Sequence, residues 1–311
     1  MINGIVLKGV GGLYTIRLDE EYAGSFIATV RGRGSFRHEK LVLLTGDRVS
    51  LEPQGDGSFF CKSILDRKNS LIRPPLANLD IIFVVIPCKK PMPSFEIIDK
   101  LIAIAEHNKI EPVILITKSD LDSDFANEMS RIYTHCGFDT IVTSSENSEG
   151  VSDVREYLRK RSAESCPICA FAGASGAGKS TLLNAIFPTL SLETGALSEK
   201  IERGKNTTRH TELFPLRELL GQEYNGYLAD TPGFSLLDFE RFDFFGLDDL
   251  FGCFREFTKI EGACKYTKCS HTKEEGCRIL ELVKNGEIEK TRHQSYVALY
   301  EILKKKPSWK K

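Results

Sequence analysis

Gly173-Ala174-Ser175-Gly176-Ala177-Gly178-Lys179-Ser180 fits the pattern GxxxxGK[ST], a loop built to hold a polyphosphate. Its glycines let the chain curl until several backbone N–H groups face one anion. A helix beginning near Lys179 adds the positive end of its dipole. Lys179 supplies a full charge to the β- and γ-phosphates, Ser180 supplies a hydroxyl to Mg²⁺, and Thr181 continues the binding turn. A chance glycine-rich turn is the competing reading. It fits poorly, because an apolar strand over 168–172 leads in and an apolar helix over 180–186 leads out.

Asp230-Thr231-Pro232-Gly233 fits DxxG, the element that senses a γ-phosphate. Asp230 ends an apolar strand and is expected to hold Mg²⁺ through water, while Gly233 offers its N–H to a γ-phosphate oxygen. A threonine between the two motifs should complete the magnesium shell. Thr207 and Thr208 are the candidates, and Thr208 is preferred.

Thr117-Lys118-Ser119-Asp120 has the form of a guanine reader. A carboxylate at Asp120 accepts from N1 and the 2-amino group of guanine. Adenine offers neither donor and would leave that carboxylate unpaired, at about 1–3 kcal/mol. The stem of Lys118 packs along the base, and Thr143-Ser144-Ser145 can cover the guanine O6 with backbone N–H groups of Ser144 and Ser145. Thr117 stands where asparagine is usual, which predicts a lost amide contact and a modest fall in affinity. TKxD alone is common by chance. Beside the phosphate loop it favours GTP over ATP.

The order is unusual, because the base reader precedes the phosphate loop and DxxG. This is a circular permutation, which sheet contacts survive when the termini lie close together. The segment after Gly233 then runs directly into the C-terminal region, which is expected to act as the lever reporting GTP against GDP. Phe234 occupies the place of a water-orienting glutamine, so hydrolysis by the chain alone should be slow and a partner should supply the missing group.

Cys264-x4-Cys269-x-His271-x5-Cys277 offers three thiolates and one imidazole, a set suited to a closed structural Zn²⁺ site. Cys269 and His271 are one residue apart, so a tight loop must carry them. Scattered core cysteines are the alternative. The surrounding Lys265, Lys268, Lys273, Glu274 and Glu275 speak against it, and no core is expected there. Cys166 and Cys169 form a CxxC before the phosphate-loop strand and read as a loop thiol and a strand interior. Cys61, Cys88, Cys136 and Cys253 read as apolar fillers, and His107 and His135 as structural.

The elements that must position these residues follow from the patterning. Five short apolar strands between glycine-rich turns in residues 1–68 suggest a small barrel. Arg31, Arg33, Phe36 and Arg37 form a basic loop with one aromatic on that barrel, suited to phosphates and a base. Residues 69–237 alternate buried strands and helices, the mark of a parallel sheet with crossovers. Residues 238–311 read as helices around the Cys/His cluster.

At 311 residues, with 41% hydrophobic and 27% charged, the chain reads as several globular domains. It has no apolar run long enough for a membrane span and no secretory leader. Nine cysteines in a chain read as cytoplasmic favour metal ligands and core thiols over disulfides. The net charge of −1 conceals basic ends: 10 Lys+Arg against 8 Asp+Glu in 1–70, and 12 against 6 in 262–311. The centre has 20 against 29. Basic ends point to a polyanionic partner, and RNA is the partner expected.

Together the permuted motifs, Gly46-Asp47-Arg48-Val49, Arg73-Pro74-Pro75-Leu76-Ala77-Asn78-Leu79-Asp80 and the Cys264/Cys269/His271/Cys277 spacing resemble the circularly permuted, ribosome small-subunit-dependent GTPases of bacteria. The resemblance covers essentially the whole chain. It implies an N-terminal OB-type β-barrel, a central permuted α/β phosphate-loop GTPase domain and a C-terminal α-helical zinc-binding domain. It further implies a monomer that uses GTP/GDP with Mg²⁺ and one structural Zn²⁺. Such a factor binds the maturing 30S subunit and its 16S rRNA near the decoding region, assists late assembly and leaves after ribosome-stimulated hydrolysis. Family members often carry a histidine just before the switch threonines. Asn206 stands there, with His210 downstream, so Asn206, Thr208 and His210 remain candidates and no catalytic side chain is assigned. A nucleotide-gated RNA binder with incidental hydrolysis is the runner-up. A phosphate-loop kinase or ATPase is third, opposed by Asp120.

Overall fold

The computed structural model describes residues 1–31, 42–55, 58–71, 74–144, 148–190, 211–230, 245–260, 262 and 264–305. The first half of the chain supplies strands β1 (Ile2–Val10), β2 (Leu13–Tyr22), β3 (Ser25–Arg31), β4 (Arg48–Pro53), β5 (Phe59–Ile64), β6 (Ser70–Leu71), β7 (Leu76–Ala77) and β8 (Ile81–Pro87). After β8 come helix α1 (Phe95–His107), β9 (Glu111–Thr117), α2 (Ser123–His135), β10 (Asp139–Val142), α3 (Val151–Glu164), β11 (Ile168–Gly173) and α4 (Lys179–Ile186). The remaining elements are β12 (Glu212–Pro215), α5 (Leu216–Leu220), β13 (Tyr227–Asp230), α6 (Arg255–Thr258), α7 (Arg278–Asn285) and α8 (Lys290–Lys304). They form two compact units, one of Met1–Ile81, Arg155–Phe171 and Ile186–Phe234, the other of Ile82–Val154, Ala172–Ala185 and Ser235–Lys311. No helix among the described residues is long and apolar enough to cross a membrane.

In the first unit, β1 pairs antiparallel with both β2 and β4, β2 pairs with β3, and β4 with β5. β3 lies against β5, which brings the strand circuit round to the five-stranded OB-type barrel. Alternation decides what goes inside: in β3, Ala28 and Val30 are buried while Ile27, Thr29 and Arg31 face out. Ile16, Val49 and Leu51, all at 0% exposure, fill the centre. Asp47, also at 0% exposure, accepts from Arg67 at 2.6 and 2.8 Å and from the Leu44 N–H at 2.7 Å, so its charge is fully paired. The barrel does not end at its own strands. Lys8 of β1 pairs with Glu212 of β12, which runs antiparallel to β13, and β13 runs parallel to β11.

In the second unit, all seven residues of β8 are buried, as are six of the seven in β9. Strands covered on both faces read as continuous apolar runs, which is why β8 and β9 stand out in the sequence. β8, β9 and β10 are neighbours in one sheet, with β9 and β10 parallel. α1 buries nearly its whole length, from Ile98 to Ala105. The C-terminal helices enclose a core of Leu250, Cys253, Phe254, Phe257, Leu282 and Tyr296, and Ala103 of α1 belongs to it.

Candidate functional site

The phosphate loop starts where β11 ends. Gly173 is obligatory there, since a Cβ would lie 2.6 Å from the Val85 carbonyl oxygen. Gly178 takes φ +89°, a conformation side chains rarely adopt, just before α4 begins. The Ala177 N–H donates to the Ala174 carbonyl at 3.2 Å and the Leu182 N–H to the Gly178 carbonyl at 2.9 Å, so turn passes directly into helix. Lys179 Nζ folds back onto the Gly173 and Ala174 carbonyls at 2.8 and 2.9 Å. Ser175, Gly176 and Thr181 lie exposed at the rim, with Gly178, Lys179 and Ser180 half-buried and Ala177 fully buried.

The loop over 117–120 meets this loop directly, although some 60 residues separate them. Thr117, 1% exposed, donates its hydroxyl to the Ala177 carbonyl at 2.7 Å. Lys118 adopts φ +61° and donates to the Gly176 carbonyl at 2.8 Å. Burial lowers the Lys118 pKa, aided by the charge of Lys90 and opposed by Asp120. Asp120 is exposed at the mouth, and the buried Ser144 donates its hydroxyl to the Asp120 carboxylate. Thr143, at 0% exposure, donates its N–H to the Ile116 carbonyl at 2.7 Å and fixes that loop beside β9. Threonine at 117 has no amide to offer, and its hydroxyl instead ties the two loops together.

Sequence reading missed one contributor. Lys118 also donates to the Lys90 carbonyl, and Pro91 approaches Gly176. A main-chain acceptor leaves no mark in residue type, and only the short Lys89-Lys90-Pro91 run hints at a turn there. Asp230 closes β13, in register with Glu212 of β12. Ser145, Asn206, Thr208, His210, Gly233 and Phe234 lie outside the described residues, as do Arg33, Phe36 and Arg37. Arg31 is exposed at the end of β3.

The ligand atoms of Cys264, Cys269, His271 and Cys277 all lie within 4.8 Å of one another. Cys264 Sγ is 3.6 Å from His271 Nδ1 and 3.9 Å from Cys277 Sγ, and Cys277 Sγ is 3.5 Å from His271 Nδ1. Tetrahedral bonds of about 2.0–2.3 Å to zinc imply ligand–ligand edges of about 3.5–3.8 Å, which these separations fit. His271 sits at φ +57°, the bend that lets it and Cys269 face one centre. The Arg278 N–H donates to Cys264 Sγ at 3.3 Å, a bond that favours a thiolate. Burial pushes the Cys269 thiol up to about 12 and raises Cys277 as well, while it lowers His271 towards the neutral imidazole. Thiols so placed need a cation to ionise. The expectation of no surrounding core is corrected: Cys277 is 2% exposed within the helical core, and the His271 ring lies 4.9 Å from that of Phe251. Cys169 is buried and Cys166 exposed, as expected, and Cys61, Cys88, Cys136 and Cys253 are buried.

Comparison with known proteins agrees with this geometry. The RsgA GTPase family model matches residues 64–240, and the RsgA N-terminal domain model matches 3–58. A small ribosomal subunit biogenesis GTPase RsgA of Ruminiclostridium cellulolyticum is 39% identical over 99% of this chain and 95% of its own. One of the same description from Enterococcus faecalis is 37% identical over 100% and 98%. Among solved structures, YjeQ from Thermotoga maritima superposes with TM-score 0.80 at 32% identity, covering 98% of this chain and 99% of that one. YloQ, described as a circularly permuted GTPase, gives 0.76 at 31%, covering 99% and 97%. Full-length identity at this level, with a family model that spans more than half of the chain, establishes that the chain belongs to the RsgA family of GTPases.

Proposed function

We propose that this chain hydrolyses GTP to GDP and phosphate on the small (30S) ribosomal subunit, assists that subunit's late maturation, and departs when hydrolysis is complete. The observation carrying this reading is the double tie from Thr117 and Lys118 to the phosphate loop, which joins a guanine reader and a polyphosphate cradle despite their reversed order. The names of the relatives supply the ribosomal context. Asp120 accepts from the guanine edge, with Ser144 and Ser145 beside O6. Gly173, Ser175, Gly176, Ala177, Gly178, Lys179, Ser180 and Thr181 hold the phosphates, and Gly233 meets the γ-phosphate. Ser180, Asp230 and Thr208 would hold Mg²⁺, which neutralises charge developing between the β- and γ-phosphates. Asn206, Thr208 and His210 are the candidates for ordering the attacking water.

Cys264, Cys269, His271 and Cys277 bind one structural Zn²⁺ in this reading, and Arg31, Arg33, Phe36 and Arg37 bind 16S rRNA. The protein works as a cytoplasmic monomer, with a barrel domain over 1–68, a GTPase domain over 69–237 and a zinc domain over 238–311. Measuring GTP turnover alone and with purified 30S, 50S and 70S particles tests the proposal. The expected outcome is slow turnover by the free chain and acceleration by 30S. An unchanged rate with 30S overturns it and favours a nucleotide-gated RNA binder.

A further inference from the structure

The guanine-reading loop rests on a third stretch of chain that belongs to no nucleotide motif. Lys118 divides its ammonium between the Gly176 carbonyl and the Lys90 carbonyl. Lys90 takes φ +50°, and Pro91 Cδ lies 3.5 Å from where a Cβ of Gly176 would be. The chain then reaches Ser94, whose carbonyl accepts from the Ile98 N–H at 3.1 Å, and α1 begins at Phe95. Four residues, Pro91 to Ser94, connect the acceptor for Lys118 to the start of α1.

The N-terminal half of α1 is clamped by a buried charge just past its first turn. Asp99 is 0% exposed and accepts from Arg292 Nη1 at 2.8 Å and from the Tyr133 hydroxyl at 3.0 Å. Arg292, at 1% side-chain exposure, also donates to Glu256 at 2.8 and 3.3 Å, and its guanidinium lies 4.5 Å from the Phe254 ring centre. One planar fork thus joins α8, α6 and the near end of α1. An ammonium could not reproduce that geometry. A second clamp, Arg255 on Glu106, holds the far end of α1 and does not restrain the turn next to Lys90.

We propose that Arg292 is a positioning residue for the guanine-reading loop: through Asp99 it fixes the N-terminal half of α1, and α1, through Pro91 to Ser94, fixes the Lys90 carbonyl that receives Lys118. The proposal rests on residues 117–120 reading guanine. Its test therefore includes Lys118→Ala, which by itself must speed release of fluorescently labelled GDP. If Lys118→Ala has no effect, the site reading fails first.

Given that control, Arg292→Lys is compared with wild type for GDP release, melting temperature and zinc content. Release should quicken by on the order of tenfold, and Arg292→Lys combined with Lys118→Ala should release GDP no faster than Lys118→Ala alone. A purely structural role lowers the melting temperature and leaves release unchanged, or gives effects that multiply. Either result overturns the proposal. Asp99→Asn, which keeps an acceptor of the same shape, provides the same comparison should Arg292→Lys not fold. In the unaltered protein, reciprocity requires GDP to slow amide exchange in residues 95–99 and 290–296. Unchanged exchange there overturns the proposal without any variant.

Discussion

Thr117 differs from the asparagine expected at its position and makes a tie of its own between two loops. Its hydroxyl reaches the Ala177 carbonyl at 2.7 Å in a fully buried position. Thr117→Val keeps the shape but leaves that carbonyl without its donor, at about 1–3 kcal/mol. GDP titration should show weaker binding, and Thr117→Asn should recover it. Asp120→Asn should shift preference from guanosine to xanthosine nucleotides in a competition assay, because an amide donor then faces a ring that offers an acceptor. Lys179→Ala should abolish turnover in a phosphate-release assay, since its ammonium is the one carried by the GxxxxGK[ST] motif itself, while Lys118 is held on the Gly176 and Lys90 carbonyls. At this scale the Cys/His set was legible because side-chain type and spacing carry it, and the four ligand atoms do converge. The contact at Lys90 was illegible, because the main chain carries it.

Among the elements, α1 joins the sheet to the helical core, and its Asp99 is the residue the sequence disguised. A charged residue in an apolar helix reads as a solvated position, yet Asp99 is fully buried against Arg292. Asp99→Ala leaves that buried guanidinium with Glu256 alone and its Nη1 without an acceptor, and should cost about 3 kcal/mol in denaturant unfolding. β8 and β9 were legible as apolar runs, whereas β12 has four residues and no motif at its end, too little for periodicity to register. The metal loop makes its own forecast. Glu274 meets a burial penalty but accepts from the Ser270 hydroxyl and N–H and the Lys273 N–H, which bring it down to about 2. A carboxyl with a depressed folded pKa stabilises above its unfolded value of about 4.3 and loses that contribution as pH falls towards 2. The melting-temperature gap between wild type and Glu274→Gln should therefore be widest above pH 5 and narrow on acidification. Chelation should lower the melting temperature and expose the three ligand thiols to a thiol reagent.

Taken whole, the molecule's motif order was readable because strand-end motifs keep their identity when a chain is permuted. The partnership of barrel and switch strand was not, since one strand pair and a few side chains make it. Lys8 pairs with Glu212, Thr45 donates to the Thr211 carbonyl at 3.0 Å, and Arg17 binds Glu218 at 2.9 Å. This architecture has a practical cost for anyone wishing to work with fragments. A chain trimmed of its first 68 residues would bare the flank of β12, leaving unpaired amides and carbonyls beside the strand that ends in Asp230. Such a fragment should self-associate through that bared edge.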